Sequence, residues 1–378
     1  RHRFAEGGAL RESQVAAFAG KRSVTQWQSI PVATQLNPTN PTLTESQPGG
    51  VIDFDRSYHG IDGRLVWRWD MGQGHAAQLV TGASTEGSRE DRRGFENFIG
   101  APAQRVLGVS GKLRRDEINR VSSRDAYAQA EVEFTPRWAA SLGVRTGRVE
   151  FRSEDHYIMG SNLDDSGTVS YRYTNPVLAV QWRPSSEFNT YLSAGRGFES
   201  PTLNELAYRP DGQAGFNIDL KAQKSQQLEL GAKWRPADGA LSLDAALFDA
   251  RSDDEIGVAT NRGGRSTFRN VGRTQRRGAE LALNARLSSS LRAVLSATTL
   301  QATYTDGFTV CAALPCITTT VPVPAGNRIA GTMARSAYAE LAWAPLAGVE
   351  LAAEARGQGQ VPVNDVNSDF AGGFGLLA

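Results

Sequence analysis

Residues 88 to 120 hold Arg89, Arg92, Arg93, Arg105, Arg114, Arg115 and Arg120, with Phe95 and Phe98 between them. Guanidinium groups beside aromatic faces suit a planar anionic ligand, through paired hydrogen bonds and cation–π contact. The alternative is a solvated loop in which Asp91, Glu96 and Asp116 neutralise the charge locally. Further along, His156 and Tyr157, Tyr208 and Arg209, and Arg262 and Arg265 lie in polar stretches. They join Arg92 and Arg93 as candidates to touch such a ligand. Catalytic chemistry has little to work with, since the only histidines are His2, His59, His75 and His156. Asp155 and His156 adjoin, but neighbours on a strand point to opposite faces and cannot form an acid–base pair.

Three short motifs add less. "GRGF" after "NTYLSA" has the look of a dinucleotide loop, yet that fingerprint needs a third glycine and a following helix, and Pro201 arrives first. "NLDDSG" at 162–167 matches the first half of a calcium loop, but Tyr173 stands where a bidentate Glu is required, so a turn explains it better. Cys311 and Cys316, the only cysteines, enclose "AALP". In an oxidising compartment that spacing suits a local disulfide; in a reducing one the same pair is two free thiols. Without a nearby His, zinc is not indicated.

The elements that must position these residues are strands. In "GAELALNARL", Ala279, Leu281, Leu283, Ala285 and Leu287 fall on one face while Glu280, Asn284 and Arg286 fall on the other. The same period of two recurs in "DAYAQAEVEF", "QQLELGAKW" and "VELAAEAR". Strands are expected at 12–30, 51–70, 77–87, 121–134, 138–153, 168–183, 189–197, 223–234, 240–260, 266–285, 291–304, 333–345 and 349–360, with a fragment from about 372. Tight connections alternate with long polar ones at 31–50, 88–120, 198–222 and 305–332. Trp138, Trp182, Trp234 and Trp343 all sit beside short, Pro-containing turns. Amphipathic indoles gather at the lipid headgroup level, and outer-membrane barrels sort short turns to one side and long loops to the other. No apolar run approaches the ~20 residues of a transmembrane helix. With 41 basic and 40 acidic residues there is no nucleic-acid footprint. The expectation is an all-β chain forming a transmembrane antiparallel β-barrel.

Three segments, in order, then carry a family resemblance. "GRGFESPTLNEL" resembles the "GFRAPTLNEL" segment of TonB-dependent outer-membrane receptors, keeping Gly197, Phe198, Pro201, Thr202, Leu203, Asn204, Glu205 and Leu206. Glu199 stands where a basic residue is usual. "LKAQKSQQLELGAKW" is similar to the family's "LKPEKS" and "ELG" run through Leu220, Lys221, Lys224, Ser225, Glu229 and Gly231. "NVGRTQRRGAEL" is similar to its Asn-x-Gly and Gly-x-Glu pattern through Asn270, Gly272, Gly278 and Glu280.

The resemblance implies a bacterial outer-membrane receptor that binds a scarce nutrient, most often a ferric siderophore, and imports it with energy transmitted by TonB. Its partners would be the TonB complex, reached through a plug domain, the small ligand and outer-membrane lipid. No catalytic residue, resident metal or cofactor is implied. Family barrels have about 22 strands, the number of plugged outer-membrane transporters. Roughly fourteen are counted here, so residues 1–378 read as a partial barrel lacking the N-terminal plug, the first strands and the last strands. An outer-membrane setting favours the Cys311–Cys316 disulfide. Other readings are a passive or adhesive barrel, TonB-dependent uptake of a non-siderophore cofactor, an outer-membrane hydrolase and a soluble sandwich.

Overall fold

The computed structural model describes residues 2–4, 8–36, 47–72, 75–160, 162–262, 265–313, 316 and 318–378, with the side chain of Arg262 outside the description. Along the chain the strands are β1 (His2–Arg3), β2 (Leu10–Trp27), β3 (Val51–Gly72), β4 (His75–Phe95), β5 (Phe98–Ile99), β6 (Val106–Leu107), β7 (Leu113–Thr135) and β8 (Trp138–Asp155). They continue with β9 (Gly167–Trp182), β10 (Phe188–Glu199), β11 (Gln223–Trp234), β12 (Leu241–Asp253), β13 (Ile256–Arg262), β14 (Arg265–Asn270), β15 (Thr274–Arg286) and β16 (Leu291–Tyr304). Last come β17 (Phe308–Val310), β18 (Val321–Val323), β19 (Arg335–Leu346), β20 (Val349–Gln358), β21 (Val361–Pro362), β22 (Phe370–Ala371) and β23 (Phe374–Leu377).

Among the described residues, fifteen of these form one antiparallel sheet in strict chain order, β1-β2-β3-β4-β7-β8-β9-β10-β11-β12-β15-β16-β19-β20-β23. The other eight pair as four small hairpins, β5–β6, β13–β14, β17–β18 and β21–β22, each within a long connection at the same end of the sheet. Connections at the opposite end are short, such as Thr135 to Trp138 and Leu346 to Val349.

The register sorts the side chains. Trp138 lies opposite Trp182, Trp182 opposite Thr190, Phe188 opposite Trp234, Trp234 opposite Leu243, and Leu291 opposite Trp343. Directly opposed residues share a face. Carried through Trp69↔Ala77, Ala77↔Val132 and Val132↔Ala140, and through Trp27↔Val51, this puts all seven tryptophans on one face. Six lie toward the short-turn end, where Trp138 and Trp182 stack with ring centroids 5.8 Å apart. The four apolar stripes read from the sequence fall on the same face. Leu142 is 61% exposed and Leu247 57%. So wide an apolar surface is not left to water. The accessible surface, 21730 Å², is roughly half as much again as a compact protein of this size would show. A wall one sheet thick accounts for both observations.

The other face is polar. Arg183–Glu133, Arg235–Asp244 and Arg292 with Glu340 and Glu350 form ion pairs across strands, and the Tyr191 hydroxyl donates to Glu229 Oε1 at 2.6 Å. Gly231 lies beneath Tyr191, where a Cβ would sit 2.3 Å from the ring and force it off the sheet.

Two expectations need correction. The stretch 88–120 is not one loop: β4 runs on to Phe95 and β7 begins at Leu113, so Arg89, Arg92, Arg93, Arg114, Arg115 and Arg120 are strand residues. Both faces are polar there, so period two leaves no hydropathy signal, and cross-strand charge holds the pairing instead. The segments 240–260 and 266–285 are also not continuous. The chain leaves the main sheet at Asp254, whose φ is 58°, and re-enters after Gly272, whose φ is 105°. Between them stands the β13–β14 hairpin. A second hairpin, β17–β18, carries the Cys311–Cys316 disulfide, with Cα atoms 5.8 Å apart.

Candidate functional site

The family-like motif sets the site's geometry. Gly197 allows β10 to close on β11, since a Cβ there would meet Ser225 Oγ at 2.3 Å. Phe198 stacks on Tyr173 at 4.7 Å. After buried Pro201, Thr202 and Glu205 form a reciprocal cap: the Thr202 N–H donates to Glu205 Oε2 at 2.7 Å and the Glu205 N–H to Thr202 Oγ1 at 3.4 Å. The single helical turn Leu203–Leu206 follows. Leu206 is fully buried with Phe151, Phe216 and Leu220, and Val121, Val149, Val169 and Tyr171 pack around them. Residues 201–220, within the long polar connection expected at 198–222, therefore form a strap folded down onto the polar face at the long-loop end. Asn270 fastens its end: the Lys221 N–H donates to Asn270 Oδ1 at 2.9 Å, and Asn270 Nδ2 to Lys221 O at 3.0 Å. Three sequence motifs thus meet in one structure.

The strap carries Tyr208 over a charged row. Arg92, Glu117 and Asp155 lie opposite one another on β4, β7 and β8. Arg115, two residues from Glu117 and on the same face, donates to it from Nε at 2.5 Å. Two guanidinium groups approach the Tyr208 ring, Arg265 Cζ at 4.1 Å from its centroid and Arg115 Cζ at 5.7 Å. Arg265 Nη1 also donates to Asp165 Oδ2 at 3.3 Å, and Arg265 bonds Asn162 Oδ1. Arg92 Nη1 donates to Asn204 Oδ1 of the strap at 3.0 Å. The Nε atoms of Arg92 and Arg265 are buried and meet no protein acceptor among the described residues, as is also true of Arg64, Arg105 and Arg269 elsewhere. A buried donor without a partner is costly, and an incoming oxygen would relieve that cost. Three cations, an aromatic face and spare donors, set among Glu117, Asp155 and Asp165, are the chemistry that an oxyanion-bearing planar ligand would need.

The predicted residues divide accordingly. Arg92, Tyr208 and Arg265 come together; the Tyr157 side chain instead bonds Arg114, and only its backbone carbonyl, accepting from Asn162 Nδ2, reaches toward them. Arg93, one residue from Arg92, faces the other way toward Asp116 and its side chain is 60% exposed. His156 is exposed. Arg209 is held by Asp211, 2.7 Å away, and by Asp219 at 3.5 Å. The Arg262 side chain lies outside the described residues. The sequence does not single out Glu117; it marks Arg115 only as one of the arginine cluster, and Asn162 and Asp165 only as part of the calcium-like turn. The signal that pairs Arg115 with Glu117 is the charge run "RRDEIN", in which alternate residues share a face.

Burial pushes Asp165 up to about 6 against the pull of Arg265, and burial also raises Asp155. The Asp165 carboxyl lies above its ordinary value of 3.8, so its ionised form is penalised in the fold above about pH 6 and relieved as the pH falls through that value. Ionised Asp165 occupies Arg265, and neutral Asp165 releases it. An anionic ligand that needs Arg265 free is therefore expected to bind up to roughly 25-fold tighter at about pH 5.5 than at about pH 7.5, the ratio of the neutral Asp165 fractions. Asp165→Asn should flatten that dependence in equilibrium titrations of the full-length protein, and a slope unchanged by the substitution would remove Asp165 from the site.

The match to known proteins covers nearly the whole chain: residues 8–377 fit the family model "TonB dependent receptor-like, beta-barrel". The chain belongs to this family of TonB-dependent receptors. It is 24% identical over 208 residues to the probable TonB-dependent siderophore receptor PiuA of Acinetobacter baumannii, over 50% of this chain and 25% of that protein. It is 30% identical over 121 residues to the catecholate siderophore receptor Fiu of Escherichia coli K12, over 32% of this chain and 15% of that protein. The crystal structure of PiuA shares the fold with a TM-score of 0.73 at 17% identity, covering 97% of this chain and 54% of that one. The copper transporter OprC matches equally well, with a TM-score of 0.73 at 14% identity, covering 98% and 54%. The chain thus spans about half the length of these structures. Proteins of the TonB-dependent receptor family sit in the bacterial outer membrane, where the lipid-facing side of a barrel wall is apolar with aromatic girdles and the long loops are outward. Two neighbours of equal likeness are named for different cargoes, so cargo has to be argued from the site and not from the fold.

Proposed function

We propose that this chain is the wall of an active-transport receptor that captures a ferric siderophore and imports it with TonB-transmitted energy. The observation that carries this is the seat formed by Arg92, Arg115, Tyr208 and Arg265 on the polar face, with two buried donors unfilled. An iron chelate with carboxylate or catecholate oxygens offers the charge and the flat surface this seat accepts. The siderophore-receptor names of the sequence relatives agree with that chemistry. His156 and Arg209 would belong to the outer approach and not to the seat.

In this reading the fifteen-stranded sheet is part of a barrel of about 22 strands. β1 and β23, the edges of the sheet among the described residues, would pair with further strands. The polar face would look onto a plug domain through which TonB pulls. Deleting the full-length gene should abolish growth under iron limitation on at least one chelate from a panel of ferric catecholates, hydroxamates and hydroxycarboxylates, and the intact gene should restore it. Undiminished growth and radio-iron uptake on every chelate tested would falsify the assignment.

A further inference from the structure

On the tryptophan face, Arg124, Arg148 and Arg172 lie directly opposite one another on the adjacent strands β7, β8 and β9. Directly opposed like charges destabilise a sheet, and adjacent members of such a row are only about 5 Å apart. One carboxylate answers them, Glu150, which pairs with Arg148 at 2.7 Å. Among the described residues Arg124 and Arg172 have no ion pair, and all three are exposed.

Their height on the wall identifies the missing anion. From Trp138 on β8, the residues on this face run Ala140, Leu142, Val144, Thr146 and then Arg148; from Trp182 on β9 they run Val180, Leu178, Pro176, Thr174 and then Arg172. Ten residue steps cover about 34 Å along a strand, or about 25 Å in height at the ~40° tilt of a barrel wall, which is the height of the apolar band. With the tryptophans at one boundary, the arginines stand at the other, the outer headgroup level. A groove of about 570 Å³ runs among them, lined also by Asp125, Ala126, Thr146, Gly147, Tyr173 and Thr174, the Asp125 carboxylate being held by Arg145 at 2.9 Å.

We infer that Arg124, Arg148 and Arg172 form a binding site for the phosphates of an outer-leaflet phosphoglycolipid, whose acyl chains lie on Leu142, Val144, Pro176 and Leu178 below. The row spans two strand spacings, about 10 Å, enough for more than one phosphate. Guanidinium forks match phosphate oxygens in pairs. The site lies on the face opposite the Tyr208 seat and does not depend on the cargo.

The test uses the full-length receptor, purified in a phosphate-free detergent, with bound phosphoglycolipid measured by mass spectrometry. The R124Q/R148Q/R172Q variant should retain roughly tenfold less than wild type, one decade corresponding to about one charge-assisted contact. R124K/R148K/R172K should keep most of it, and R137Q, which removes a charge at the short-turn end, should change nothing. Equal retention by wild type and a heat-modifiable, folded triple Gln variant would overturn the site. A second arm needs no mutation: vesicles carrying a bisphosphorylated glycolipid should exchange onto the wild-type protein, and vesicles of the dephosphorylated glycolipid should not. Equal uptake of both, or complete displacement by millimolar inorganic phosphate, overturns the lipid assignment.

Discussion

Replacing Arg92 and Arg265 together with Ala is expected to reduce binding of an anionic ferric chelate by the full-length receptor about a thousandfold, and uptake with it. Each side chain brings a charge-assisted contact worth about 2 kcal/mol or more at a desolvated site, and two such losses give roughly that factor. Arg265 matters more, since its guanidinium lies 4.1 Å from the Tyr208 centroid as well as beside Asp165. Removing it should not collapse the site. A carboxyl already raised to about 6 can protonate when its counter-charge leaves, which limits the stability cost. Arg265→Lys keeps the charge but loses the flat fork, so it should recover only part of the affinity. Arg93→Ala is the matched control, an arginine one residue from Arg92 on the opposite face, and should bind within about twofold of wild type. Isothermal titration at constant pH distinguishes these outcomes. An Arg93→Ala loss as large as that of Arg265→Ala would mean that the ligand is held by diffuse charge and not by the Tyr208 seat.

That control also shows how far the sequence reaches. Arg92 and Arg93 are chemically equivalent in the sequence, and only strand parity separates them. Parity was readable wherever one face is apolar: Leu228, Leu230 and Trp234, or Leu281 and Leu283, alternate with polar residues, and each falls on the tryptophan face. It was unreadable in 88–95 and 113–120, where both faces meet water. There the strand is held by pairs such as Arg56–Glu90 and Arg120–Glu154 across the sheet, which no hydropathy pattern records. The break at Asp254 was hidden for another reason. A non-glycine residue at positive φ gives no compositional warning, although Gly272 at the other side of the hairpin is the kind of residue such a turn requires. The motif "GRGFESPTLNEL" indicated a family and the exit of a strand. What it could not indicate is where the chain goes next, because Leu206, Phe216 and Leu220 find one another and Phe151 only in three dimensions.

The strap made by that cluster yields the largest expected effect on local stability. Leu206 is fully buried, and Leu206→Ala removes three carbons from a small core whose other buried members are Phe151, Phe216 and Leu220. Such truncations cost about 2–5 kcal/mol. The strand ladder does not depend on this cluster, so the cost should fall on the strap: residues 201–220 open while the wall stays folded. Three observables should move together. The segment 207–215 should become open to protease, the Asn217 N–H that donates to Leu206 O at 2.7 Å should lose its exchange protection, and chelate binding should weaken because Tyr208 is two residues away. Heat-modifiable migration of the full-length receptor should be unchanged. Leu206→Met, which keeps the volume, should cost less than about 1.5 kcal/mol and retain binding. Thr202→Ala removes the cap and should cost about 1 kcal/mol, too little to open the strap. Loss of the folded wall in Leu206→Ala would show that the cluster is a core of the whole barrel. Retention of full binding with an opened strap would mean that Tyr208 is not where the ligand sits.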